Sequence, residues 1–186
     1  MERPLAGRKI AILLTDGFEQ VEMVEPRKAL ENAGAETVLV SPREPEVQGW
    51  LHFEKGDRFR VDTPLHSARA GDYDALLLPG GVANPDQLRA IPEAVQFVRA
   101  FLNAKKPVAA ICHGPWMLIE ANGVKGHILT SWPSLKTDIQ NAGGEWHDRE
   151  VIADGGIVTS RKPEDLPAFN RAMVEEFSAV VQRPQG

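Results

Sequence analysis

Short apolar runs separated by segments of helical periodicity are the feature that most limits how this chain folds. Residues 9–14 (KIAILL), 36–41 (ETVLVS), 74–78 (DALLL) and 107–111 (PVAAI) are each closed by a stretch rich in Gly or Pro, and they read as buried strands. Between them lie residues 22–32 and 91–103. The second carries Ala94, Val95, Val98, Phe101 and Leu102 close to a 3.6-residue period, the mark of a helix with one buried face. In the first, Pro26 is compatible with a helix only in the opening turn, and Gly34 marks its C-terminal stop. Strands alternating with helices predict an α/β fold with a mostly parallel central sheet and helices on both faces.

The rest of the chain fits this frame with one exception. Residues 42–70 hold Pro, Gly, Trp50 and the alternating FRVD segment, and read as a small β-hairpin excursion. A helix opens at Cys112-His113-Gly114-Pro115 and runs to about residue 121, 127–129 is a short strand, and 135–142 is a helix stopped by Gly143-Gly144. Residues 151–153 and 157–160 flank Asp154-Gly155-Gly156, a specific hairpin signal, and 163–181 reads as a closing helix. Without repeat, low-complexity tract or linker, residues 1–186 are expected to form a single α/β domain.

Charge and cysteine usage narrow the function classes. A net charge of −5 and a pI near 5.6 argue against nucleic acid or an anionic membrane surface as main partner. No apolar run is long enough to span a bilayer, and MERPLAGRKI lacks the apolar stretch of a signal peptide. One cysteine allows no intrachain disulfide. A cytoplasmic protein is expected. His52, His66, His127 and His147 are scattered without ligand spacing, and no phosphate or dinucleotide fingerprint occurs, so neither a metal nor another cofactor is expected.

In open parallel sheets, sites form beyond the C-terminal ends of strands. That rule selects residues 16–22, 80–86 and 112–115. Ala109-Ala110-Ile111-Cys112-His113-Gly114-Pro115 has the layout of a nucleophile elbow, with small residues leaving room for a tight turn. The N-terminus of the helix after it favours a thiolate, so an apparent pKa below the free-cysteine value is expected. A buried cysteine can equally serve as a small hydrophobe. Gly80-Gly81 fits a plain turn or a backbone amide donor pair for an oxyanion. Glu19 and Glu22 fit either charge at a helix N-terminus or a carboxyl group beside Cys112.

Taken together, Asp16-Gly17-Phe18-Glu19-Gln20-Val21-Glu22, Leu78-Pro79-Gly80-Gly81 and Ala110-Ile111-Cys112-His113-Gly114-Pro115 resemble the PfpI-type intracellular protease and general-stress-protein family. That family belongs to the superfamily of the human parkinsonism-associated protein. Thr130-Ser131-Trp132-Pro133, Asp138, Asn141-Ala142-Gly143 and Thr159-Ser160-Arg161 extend the resemblance over about residues 9–177. It implies a flavodoxin-like three-layer sandwich, self-association as a dimer or a hexamer of dimers, and Cys112 as nucleophile. Glu22, not Glu19, falls where the family acid meets the thiolate. His113 falls on the histidine after the nucleophile. The acid that orients it comes from a neighbouring chain, and here the candidate is Asp86, in a loop one residue longer than the protease pattern and with Asp in place of Glu. Asn84-Pro85 is expected to turn the chain and push Asp86 outward; a capping role before Ile91 is the alternative. Gly80, Gly81 and His113 would hold the oxyanion. The resemblance implies a stress-protective hydrolase of glycated or aldehyde-modified protein or nucleotide substrates, with peptidase activity as the neighbouring alternative. A redox sensor or a chaperone is the alternative of another class.

Overall fold

A computed structural model describes residues 3–179. The chain runs β1 (Lys9–Leu13), β2 (Phe18–Glu19), α1 (Val21–Asn32), β3 (Glu36–Ser41), β4 (Glu46–Leu51), β5 (Glu54–Arg60), β6 (Thr63–Pro64), β7 (Ala75–Leu78), α2 (Ala83–Arg89) and α3 (Pro92–Asn103). It continues through β8 (Val108–Ile111), α4 (Pro115–Glu120), β9 (Ile128–Leu129), α5 (Lys136–Asn141), β10 (Glu145–Trp146), β11 (Ile152–Asp154), β12 (Ile157–Ser160) and α6 (Leu166–Ala179). Seven strands form the central sheet in the order β11-β12-β8-β7-β1-β3-β6. All neighbours pair parallel except β11, which turns back on β12 through Gly155 and Gly156, both at positive φ.

Strand geometry sends successive side chains to opposite faces, and two cores result. Ala11, Leu13, Leu76, Leu78, Val108 and Ala110 face α3, α4 and α5 through Phe97, Phe101, Met117, Leu118 and Ile139. Ile10, Ile12, Leu77, Ala109 and Ile111 face α1 and α6 through Met23, Leu30, Phe169, Met173 and Phe177. This is the flavodoxin-like three-layer sandwich expected. The 42–70 excursion is the hairpin β4–β5, attached to the body by parallel pairing of β4 with β2. Among the described residues no helix is long and apolar enough to cross a membrane.

Local expectations failed at four places. Pro26 is in the second turn of α1, not the first, and lies buried; its missing N–H leaves the backbone carbonyl of Glu22 without the usual helical donor. Residues 80–86 are not all loop, because Asn84, Pro85 and Asp86 belong to α2. Asn84 and Pro85 are buried there and make no turn. The segment after Pro163 begins as a 3₁₀ turn over Pro163–Asp165 before α6, and residues 180–181 of the expected closing helix lie outside the described residues.

Phe101 is fully buried and meets the ring of Phe97 at 5.2 Å, edge to face. Phe101→Ala is expected to cost about 3–5 kcal/mol, read as a lower urea midpoint; an unchanged midpoint would show that this core refills the space without loss.

Candidate active site

Three strand ends converge on Cys112. The residue follows β8 with φ of 63°, a left-handed conformation that costs a non-glycine residue roughly 1–3 kcal/mol. The turn is closed by Gly114 N–H donating to Ile111 O at 2.8 Å, and it is tied laterally by Cys112 N–H to Ser160 O at 3.0 Å and Trp132 N–H to Cys112 O at 2.9 Å. A Cβ on Gly114 would sit 2.7 Å from Leu78 O, so the elbow accepts no side chain there. The loop after β7 approaches as closely. A Cβ on Gly80 would run into Glu22 Oε2 and come within 2.6 Å of Cys112 Cβ. The elbow is therefore real, strained, and packed against Gly80 and Glu22.

Glu22 projects from the first turn of α1 and is 0% exposed. Neither carboxyl oxygen has a hydrogen-bond partner of normal geometry among the described residues. Burial, reinforced by the nearby charge of Glu19, pushes its pKa up to about 8, against the pull of the Cys112 side chain and the Gly80 and Gly81 amides. At neutral pH Glu22 is a neutral acid, able to donate its proton toward sulfur. Glu19 does not share this place: its carboxylate accepts the backbone N–H of His52 at 3.1 Å and 3.3 Å.

The thiol departs from expectation. Cys112 is 7% exposed, and burial first, then the Glu22 carboxylate, push it well above its usual range despite the Gly81 and His113 amides. The helix that was expected to lower it, α4, has only 6 residues and so a weak dipole. Cys112 and Glu22 titrate as a coupled pair, and the Glu22 contribution vanishes whenever that acid holds its proton. A partner for the thiol proton stands alongside: His113 Nδ1 is 3.2 Å from Cys112 Sγ. Burial lowers the imidazole to about 4, so it is neutral at pH 7 with its lone pair free to accept a hydrogen bond.

Several side chains that the sequence did not single out fix that imidazole. His113 stacks on Trp132 with ring centroids 5.8 Å apart and meets the edge of Trp116 at 5.0 Å. With Nδ1 accepting from the thiol, Nε2–H points to Ser134 Oγ at 3.5 Å. Trp132 stood inside a motif recognised by resemblance, yet Ser134 is 21 residues from His113 and carried no signal. Asp86 is exposed in the first turn of α2 and makes no side-chain hydrogen bond or ion pair among the described residues. The structure brings together Cys112, His113, Glu22, Gly80 and Gly81; Asp86 stays outside, and neither orients His113 nor caps the segment before Ile91 within one chain. Among the described residues no group of three His, Cys, Asp or Glu converges to hold a metal ion.

A strained cysteine on an elbow beyond a parallel sheet, flanked by a neutral histidine and a buried acid, defines an α/β protein with a cysteine-centred site. The chain belongs to the DJ-1/PfpI family, whose model matches residues 8–176. General stress protein 18 of Bacillus subtilis is 45% identical over 168 residues, covering 89% of this chain and 95% of that protein. YraA of the same organism, whose name proposes a cysteine protease, is 44% identical over 166 residues, with the same coverage. Protein/nucleic acid deglycase 2 of Escherichia coli is 42% identical over 175 residues, covering 93% of this chain and 99% of that one. Among solved structures, Drosophila melanogaster DJ-1beta superposes with a TM-score of 0.83 at 25% identity, covering 92% of this chain and 90% of that one.

Glu22 makes stability depend on pH. Its folded pKa of about 8 lies above the ordinary 4.5, so its contribution is fully present below 4.5 and is lost as pH rises through 8. The loss is at most about 5 kcal/mol at the far side of that window. Glu22→Gln keeps the shape of the neutral acid and cannot ionise. Urea midpoints are expected to fall from pH 5 to pH 8 in wild type and to fall less in the variant. Parallel profiles would show that Glu22 is not the titrating group.

Proposed function

We propose that the chain is a stress-protective cysteine hydrolase that acts through Cys112 on glycated or aldehyde-modified protein or nucleotide substrates. The observation that supports it most is the 3.2 Å contact between Cys112 Sγ and His113 Nδ1 at a strained elbow, with the imidazole kept neutral. The names of the stress protein and of the deglycase, both above 40% identity over nearly the whole chain, agree with the reading. The thiol proton passes to His113 Nδ1 as sulfur adds to the substrate carbonyl carbon, and the carbonyl electron pair moves to oxygen. The Gly81 and His113 amides, already directed at the sulfur, receive that charge. For an adduct that has released its amine or thiol to re-form the α-oxoaldehyde, the oxyanion takes the proton back from His113. A proton shift from the thiohemiacetal carbon to the neighbouring ketone carbon gives a thioester with no net oxidation, and water releases it from sulfur as a hydroxy acid. For an amide, collapse expels the amine with the proton from His113, and water releases the acyl group. Because His113 carries the proton only during reaction, the resting site needs no thiolate.

The same machinery cleaves an amide, and the name of YraA favours a peptidase as the second reading. A side-by-side assay on a methylglyoxal-thiol adduct and on a peptide separates them. Wild type is expected to turn over the adduct, and Cys112→Ala neither substrate. Turnover of the peptide alone makes the chain a peptidase. No turnover of either, with Cys112 oxidised by peroxide, moves it to the sensor class.

We further propose that the chain works as a dimer, or a hexamer of dimers, in which Asp86 of a second copy approaches His113. Its exposed, unpaired carboxylate is available for that contact. On this reading Asp86→Asn lowers kcat more than it raises KM, and dilution below the association constant lowers turnover without unfolding the chain. Ser134→Ala lowers turnover at every protein concentration, because its contact lies within one chain. Full activity of a verified monomer removes Asp86 from the site.

A further inference from the structure

Asn84 is buried to 1% exposure between the loops after β1 and β7, in a position where a polar side chain must find partners or destabilise the fold. It finds three. Oδ1 accepts the Thr15 N–H at 2.7 Å, while Nδ2 donates to Pro79 O at 3.1 Å and Gly80 O at 3.3 Å. The choice of carbonyls matters. These peptide bonds are trans, so the C=O and N–H of one plane point in opposite directions. Drawing Pro79 O toward Asn84 turns the Gly80 N–H away from it, and drawing Gly80 O turns the Gly81 N–H away. The Gly80 and Gly81 amides are directed at the Glu22 carboxyl and the Gly81 amide at the Cys112 sulfur, and a Cβ on Gly80 would meet both side chains.

We propose that Asn84 is a positioning residue that sets the peptide planes of Pro79-Gly80 and Gly80-Gly81 so that their amides face Glu22 and the Cys112 sulfur. Only an amide side chain of this length combines the acceptor for Thr15 with the donor for both carbonyls. Aspartate keeps the first and loses the second; leucine fills similar space and loses both. Through Thr15, the same side chain ties the donor loop to the strand end that leads into Glu19 and Glu22. α2 is held close enough for this by the absence of a side chain at Gly17, where a Cβ would meet Ala83 Cβ at 2.6 Å.

The inference rests on the reading of Cys112 as nucleophile, and its test needs no substrate. Iodoacetamide alkylation of Cys112 at pH 8 is compared in wild type, Asn84→Asp and Asn84→Leu, with circular dichroism to verify folding. Both folded variants are expected to react at least about fivefold more slowly, because the sulfur loses an amide donor. With a confirmed substrate, kcat is expected to fall on the order of tenfold with KM little changed, short of the roughly 10²–10³-fold cost of deleting a direct oxyanion donor. Alkylation that overlays wild type overturns the proposal. So does slowing confined to Asn84→Asp, which would trace to the added charge. If neither variant folds, NMR of wild type decides: slowly exchanging Asn84 side-chain amide protons and a Gly81 amide that shifts on alkylation are expected, and freely exchanging or unmoved protons overturn it. A wild type inert on every substrate but altered in alkylation by these variants would sink the hydrolase reading alone.

Discussion

No side chain fits at Gly80. A Cβ there would collide with the Glu22 carboxyl and stand 2.7 Å from Ile111 O and 2.6 Å from Cys112 Cβ. The ends of β7 and β8 and the first turn of α1 meet at this point, and the chemistry follows from the contact. A Cβ on Gly81, at φ of 76°, would likewise come within 2.6 Å of Gly17 O and 2.7 Å of Glu19 N. Backbone packed this closely around the elbow leaves Cys112 only 7% exposed. The elbow strain at Cys112 persists because cross-ties from Ser160 and Trp132 hold it from both neighbouring segments.

Burial has an electrostatic consequence. A buried charge with few dipoles around it is costly, so each titratable group near the sulfur shifts toward its neutral form. Glu22 moves up and His113 moves down, both chiefly through burial. The result is a resting site of neutral groups in which protons can be exchanged over short distances. On the proposed mechanism, the amides of Gly81 and His113 are the fixed dipoles for a charge that develops during reaction. Fixed backbone donors need no reorganisation at that moment, and the precision with which their peptide planes are held therefore matters more than their number.

Much of this was legible in the chain itself. The apolar runs gave the central strands to within a residue or two, and the rule that sites lie beyond strand C-termini selects the loops of Glu22, Gly80 and Cys112. The remainder depended on contacts that periodicity does not encode. Asn84-Pro85 carries turn chemistry locally, but burial of Asn84 against Thr15, 69 residues away, draws it into a helix. Pro26 sits mid-helix because packing of α1 against α6 and the sheet outweighs the lost hydrogen bond. The lowered thiol failed for a related reason: the local signal, a following helix, was weaker than desolvation by the whole fold.

The inner site and its rim differ in character. Cys112, Glu22 and His113 are nearly sealed, whereas Val82, the residue after Gly81, is 57% exposed and Trp132, stacked on His113, is 39% exposed. Large apolar groups left in water beside the buried Cys112 offer contact area for whatever approaches it. The floor is held by glycines, strained backbone and buried hydrogen bonds, where most substitutions disrupt the packing. Val82 follows β7 in a segment between regular elements, where a side chain can change without moving a strand, whereas Trp132, after β9, is held by its stacking on His113. Packing therefore fixes the floor of the site, whereas Val82 at the rim is free of that constraint.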